Sequence, residues 1–317
     1  MKFRYLLQIP TILILMSLFV LPSLAQGSSQ APASLKLSTE MVSLNVTVTD
    51  QKDRAVVGLK PEDFKVYENK IGQPLSFFST GDVPVSWGLV LDRSDSMKEV
   101  IQDVYQAAVR VVNEGVEKDE TFIVTFNNKV ELVADFASDK QQLQKSVLGL
   151  RAEGSTALWD AVSFALEKLK QAKHRKKVLL VITDGEDNRS RTAFKNLIKQ
   201  AEEAGVMIYT VGLFQSKEKS RPGVRNYGPR SRVSPREELT QLAAITGASA
   251  TFPTTLKECL EKLQQIANEV GHQYSVGYYP GDPQNDGKWR KLKVVVNQSN
   301  AKYVARTRIG YYAPKSE

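Results

Sequence analysis

The sequence predicts an α/β fold: a doubly wound, mostly parallel sheet inserted in a small all-β sandwich built from both flanks. Three observations carry this reading. Apolar runs such as Val85–Leu91 and Val178–Ile182 are continuous, as in strands buried on both faces. Segments of helical period separate them, so strand and helix alternate as in a parallel sheet. On both flanks the period changes to two, in Val42–Thr49 and again in Tyr274–Val296. The 317 residues leave room for one large or two modest domains plus a leader, and 42% hydrophobic with 25% charged residues is ordinary for a globular chain.

The elements follow in order. Met1–Ala25 opens with Lys2 and Arg4, runs apolar from Leu6 to Leu24 and ends in Ser23-Leu24-Ala25. It reads as a cleaved signal peptide, which makes the protein exported: periplasmic, cell-surface or secreted. An uncleaved anchor is the other reading, disfavoured by Pro10, Pro22 and the small residues at its end. Gln26–Lys36 is a flexible lead-in. Leu37–Thr80 holds three strands, at Val42–Thr49, Phe64–Glu68 and Leu75–Phe78, too little to bury a core alone. The central unit, Val83–Val270, begins with Val85–Leu91 and a helix carrying Val100, Val104, Ala107, Ala108 and Val111. Thr121–Phe126 and Lys129–Phe136 flank Asn127-Asn128, a hairpin signal that predicts an antiparallel edge strand. Helices are expected at Gln141–Leu150, Leu158–Leu169, Phe194–Ala204, Glu237–Thr246 and Thr255–Val270. Strands are expected at Val178–Thr183, Val206–Leu213 and Ala248–Phe252. Gly205 and Gly247 mark helix ends. Gln273–Tyr312 returns to β, with the last strand spanning Val304–Tyr312. Because neither β flank suffices alone, the two are expected to fold together around the inserted unit.

The chemistry gathers at strand ends. Asp92, Ser94 and Ser96 stand on alternate residues where the first apolar run stops, and ligands of open α/β sheets sit outside the carboxyl ends of the strands. Carboxylate and hydroxyl oxygens are hard ligands, suited to Mg²⁺, Mn²⁺ or Ca²⁺. Each residue also has a plainer reading, since Asp92, Ser94 and Ser96 could cap the helix that follows. Two further stretches belong beside this one. Gly154-Ser155-Thr156-Ala157-Leu158-Trp159-Asp160-Ala161 opens a helix, which Thr156 could cap. Val178–Thr183 runs into Asp184-Gly185.

Together, in this order, the three stretches resemble the metal-ion-dependent adhesion site of von Willebrand factor type A (VWA) domains, over roughly Pro84–Val270. The resemblance implies a doubly wound, Rossmann-like fold. It also implies a divalent cation held by Asp92, Ser94, Ser96, Thr156 and Asp184, and capture of a protein ligand that offers an acidic side chain to the metal. The whole chain resembles a minimal member of the VWA-related exported proteins of certain bacteria. A β-sandwich similarly surrounds the VWA domain of integrin β chains, and there a shift of the last helix accompanies tighter ligand binding. Asp95, Glu186 and Asp187 are expected to be rim charges, and Trp159 to be core.

Other functions have less support. A structural or assembly subunit of an envelope complex would use the same site. A serine hydrolase ranks last. The only histidines, His174 and His272, lie away from Ser94 and Ser96 in the predicted sheet, and neither a Gly-x-Ser-x-Gly elbow nor a phosphate-cradling glycine loop is present. The formal net charge of +8 falls by the two charges of the leader to +6, and seven basic residues crowd into Lys217–Arg236. Tyr227 is the one aromatic there, too little for a base-stacking platform, so nucleic acid is not an expected partner. Weak contact with an anionic surface is the alternative to a solvated loop. Cys259, the single cysteine, rules out an internal disulfide and falls on an apolar helix face.

Overall fold

The computed structural model describes residues 40–81, 83–113, 115–184, 186–213, 234–281, 285–297 and 302–315. The leader, the lead-in and nearly all of Lys217–Arg236 lie outside the described residues. Among those described, no helix is long and apolar enough to cross a membrane.

The central sheet is built from β5 (Val85–Asp92), β6 (Glu120–Phe126), β7 (Val130–Ala137), β8 (Lys176–Thr183), β9 (Met207–Gly212) and β10 (Ala250–Thr251), in the order β10-β9-β8-β5-β6-β7. Every pairing is parallel except that of β6 with the edge strand β7. The continuous apolar runs follow from coverage on both faces. One face of the sheet packs against α1 (Ile101–Asn113), α2 (Lys140–Val147) and α6 (Leu256–Gly271). The other packs against α3 (Leu158–Leu169), α4 (Phe194–Ala204) and α5 (Pro235–Thr246). Close fit is needed at the centre. A Cβ on Gly88 of β5 would lie 2.6 Å from both Leu179 and Phe122 side chains. Cys259 is fully buried, and burial pushes its thiol up to about 11, as expected of a small core residue.

The flanks form two four-stranded sheets. One, in the order β13-β1-β11-β4, combines β1 (Val42–Thr49) and β4 (Phe77–Ser79) with β11 (Tyr274–Tyr278) and β13 (Val304–Arg306). The other, β14-β12-β2-β3, combines β2 (Phe64–Glu68) and β3 (Ile71–Gln73) with β12 (Trp289–Val296) and β14 (Gly310–Tyr312). Even residues of β1 (Val42, Leu44, Val46, Val48) join Phe64, Val66, Tyr274, Val276, Tyr278, Leu292 and Val294 in one core shared by both sheets. Each sheet thus needs strands from before and after the central unit.

Besides shifts of a few residues at element ends, as in β4, α2 and β10, and the unexpected short strand β3, two expectations change. The predicted final strand Val304–Tyr312 is broken at Thr307–Ile309, and its halves enter different sheets. The break is forced by packing: a Cβ on Gly247, at the end of α5, would strike the Thr307 backbone, and Ile309 N donates to Ile245 O. The helix after Asp92 does not begin at once, because a single 3-10 turn, Asp95–Met97, intervenes.

Candidate metal centre

The carboxyl edge of the central sheet carries the three loops on which the five predicted donors lie, and backbone bonds join those loops. Parallel pairing of β5 with β8 sets Leu91 opposite Ile182, so Asp92 falls beside Thr183. Thr183 Oγ1 donates to Asp92 Oδ2 at 2.6 Å, and Ser94 N donates to Asp92 Oδ1 at 2.8 Å. Tyr105 of α1 donates its hydroxyl to Asp92 O at 2.6 Å, holding the strand end itself. Ser94 and Ser96 lie on the next turn, with their hydroxyl oxygens 3.0 Å apart.

The second loop is stitched to the first by backbone. Asp95 N donates to Gly154 O at 3.2 Å and Glu153 N donates to Arg93 O at 2.8 Å. Gly154 holds φ at +81°, which suits glycine in a turn this tight. Asn127 supports the same loop, accepting from Ala157 N and donating through Nδ2 to Glu153 O. Thr156 is 3% exposed. Its carbonyl accepts from Asn188 N and Arg189 N, and its N donates to Asn188 Oδ1, which fastens the second loop to the third. Asp184, half-buried, begins that third loop directly after Thr183.

The capping readings of Ser94 and Thr156 can now be decided. Ser94 is the N-cap of the 3-10 turn but makes no side-chain cap bond. Thr156 stands one residue before the N-cap of α3, Ala157. The cap of α3 comes from far along the chain: Asp187 Oδ1 accepts from Leu158 N at 2.9 Å and from Ser190 Oγ at 2.6 Å. Asp187 is therefore a part-buried structural acid and not a rim charge, whereas Asp95 and Glu186 are exposed as expected. Trp159 is buried against Phe194, with ring centroids 4.9 Å apart.

Electrostatics single out Asp92. Burial pushes its carboxyl up to about 6, the nearby Asp184 carboxylate adds to the rise, and the bonds from Thr183 and Ser94 oppose it. A buried carboxylate, Asp92, is thus set near a second, half-buried acid, Asp184, a setting in which a divalent cation would relieve their repulsion. The donor set, two carboxylates and three hydroxyls, is all oxygen and fits a hard cation. Among the described residues no cluster of three or more His, Cys, Asp or Glu is gathered for a metal, and three of the five predicted donors are hydroxyls. Sequence reasoning missed Thr183, Tyr105 and Asp187. Of these, only Thr183 carried a signal, through its position next to Asp184 at the end of a strand paired with β5.

The histidines stay away from Ser94 and Ser96. His174 precedes the start of β8, at the opposite edge of the sheet, where its Nε2 lies 2.8 Å from Lys118 O. His272 follows α6, with Nδ1 2.7 Å from Asn268 O. Neither can act as base for either serine.

Known proteins similar to this chain include an uncharacterized protein of Borreliella burgdorferi, 26% identical over 139 residues. The match covers 41% of this chain, and the chain spans 41% of that relative's length. Among solved structures, a von Willebrand factor type A protein from Catenulispora acidiphila superposes with a TM-score of 0.49 at 11% identity, covering 88% of this chain and 75% of that one. An aerotolerance-related membrane protein from Bacteroides fragilis gives 0.45 at 16% identity, covering 58% and 99%. The vWF domain of a type V pili tip protein from Porphyromonas gingivalis gives 0.46 at 11% identity, covering 60% and 95%. A model of the von Willebrand factor type A domain matches residues 88–269, more than half of the sequence, and the mixed, mostly parallel sheet with helices on both faces agrees with it: the chain belongs to the von Willebrand factor type A domain family.

Proposed function

We propose that this chain is an exported, non-enzymatic binding module that captures a protein ligand through a divalent cation. Asp92, Ser94, Ser96, Thr156 and Asp184 would hold Mg²⁺, or Mn²⁺ or Ca²⁺ in its place, directly or through water. When bound, the ion would offer an electrophilic position to a carboxylate of the partner. The observation that carries this reading is the buried Asp92 carboxylate, locked by Thr183 and Ser94 and set against Asp184, at the edge of the sheet where three backbone-stitched loops meet. The leader-like composition of Met1–Ala25 supports export.

The chain's own residues do three things in this scheme. Thr183 and Ser94 N fix the orientation of Asp92. Asp187 and Asn188 hold the Thr156 loop in place from the third loop. Tyr105 keeps the end of β5 from fraying toward solvent. A cation that binds only the folded state stabilises it by mass action. Mg²⁺ or Mn²⁺ is therefore expected to raise the melting temperature of the full chain, and Asp92→Ala and Asp184→Ala to abolish the rise. A full metal response in both variants would overturn the assignment. The partner is to be sought by capture from the source cell's envelope and surroundings in Mg²⁺ against EDTA.

A further inference from the structure

The metal loops occupy one edge of the central sheet. At the opposite edge, where the sheet meets the sandwich, the two do not close on each other. A cleft of about 760 Å³ remains between the turn entering β8 and the outer face of the β13-β1-β11-β4 sheet. This is within the range of small-molecule sites, about 300–1,000 Å³. The sandwich wall is polar because odd residues of β1 point away from the shared core; Ser43 and Asn45 line the cleft with Thr307 and Arg308. The other wall carries Arg175 and Lys177.

The charge is one-sided. Glu40 is the only acid among the lining residues, against Lys173, Arg175, Lys176, Lys177 and Arg308. Lys173 reaches Glu120 at 3.8 Å and Lys176 is spent on Val270 O, but Arg175, Lys177 and Arg308 make no ion pair among the described residues. Arg308 donates through Nη2 to Ser43 O at 3.2 Å and lies 5.4 Å from the Tyr311 ring centroid. Its Nε, and the neighbouring Thr307 Oγ1, are buried with no hydrogen-bond partner. Burial pulls both Arg308 and Lys177 below their ordinary values, so neither charge is fully solvated. Unpartnered buried donors on cations are costly, and an anion entering the cleft would satisfy them. The planar guanidinium fork favours carboxylate or phosphate oxygens.

We propose that this cleft is a second binding site, separate from the metal centre, for a small polyanion bearing carboxylate or phosphate groups, with Arg308 and Lys177 as the recognising cations. The test is isothermal titration of the full chain with citrate and with pyrophosphate at constant ionic strength. Saturable binding of at least one is expected, and the preferred anion identifies the group. Lys177→Gln and Arg308→Gln should each weaken it about tenfold or more, as losing a charge-assisted bond does. Lys257→Gln, an exposed lysine on α6, should leave it unchanged. Arg308→Gln also removes packing on Tyr311, so Lys177→Gln carries the test by itself. Absence of saturable binding by both anions, or unaltered affinity in Lys177→Gln, would overturn the proposal.

Discussion

Thr183→Val probes the centre without touching any proposed donor. The side chain keeps its shape and loses the hydroxyl that donates to Asp92 Oδ2 at 2.6 Å, in a position with no solvent exposure. Hydrogen bonds to charged groups contribute about 1.5–3 kcal/mol, and losing an outer-shell partner of a metal ligand typically costs about 10–100-fold in affinity. The two figures agree, since 1.4 kcal/mol is about tenfold. Calorimetric titration of the full chain with Mg²⁺ at neutral pH should therefore show affinity reduced about 10–100-fold. Thr210→Val is the control. Thr210 is equally buried on the adjacent strand and donates to Leu239 O at 3.3 Å, away from the donors. It should lose stability and keep its metal affinity. If Thr183→Val binds Mg²⁺ within about threefold of the parent, or Thr210→Val loses as much, the Asp92 carboxylate is not what the cation sees.

Two further outcomes follow from the architecture. Deleting Gln273–Glu317 removes both neighbours of β1 and one of the two neighbours of β2, leaving it β3 alone, so Leu37–Thr80 should lose its protease resistance; retention would mean that it does not share a core with the C-terminal flank. Lys176 is held at about 8 by burial, with Asp119 opposing, against 10.5 for a free lysine. The unfolded chain then binds more protons between those values, so this group's contribution to stability rises with pH across that window. Relative to Lys176→Met, the parent should gain about 1 kcal/mol between about pH 7 and pH 9 in chemical denaturation, and a flat difference would refute the assignment.

The sequence was legible where local signals and tertiary demands coincide. Leu158–Leu169 and Phe194–Ala204 form helices with the predicted limits, the second because Gly205 takes the left-handed conformation that ends it. The hairpin at Asn127-Asn128 and its antiparallel edge strand likewise follow from the turn residues and the polar face of β7. The five predicted donors lie at one edge because each stands at or just after the end of a strand, or just before a helix, of a mostly parallel sheet. What escaped was set by distant contacts. Nothing near Asp187 marks it as the cap of a helix 29 residues earlier, and nothing near Thr307 announces the approach of Gly247. By its spacing Thr47 belongs to the polar face of the alternating strand β1, yet it is 1% exposed, because Gln273, itself bonded to Tyr209 of the central sheet, covers that end and donates to its hydroxyl.

The same covered end bears on whether α6 can move. In the integrin domains that the central unit resembles, a shift of the last helix accompanies tighter ligand binding; here that helix has its final turn fastened on three sides. Lys176 Nζ donates to Val270 O at 2.5 Å. Glu269, 6% exposed, accepts from Tyr209 at 2.7 Å and pairs with Arg306 of β13 at 2.7 Å. Gln273, just beyond the helix, donates to Thr47 of β1 and to Tyr209. A shift of one helical turn, about 5.4 Å, would break all of these. At about 1 kcal/mol net for each bond, and more for those to charges, the opposition is about 4 kcal/mol or above, larger than the 1–3 kcal/mol typical of coupling between sites. Cutting the chain at Val270 would not free the helix cleanly either, because it strips Arg306 from Glu269 and leaves a buried carboxylate with Tyr209 alone. The sandwich is thus part of what holds α6 in register with the sheet. Any ligand-linked change at the metal loops must either leave this helix in place or carry the sandwich with it.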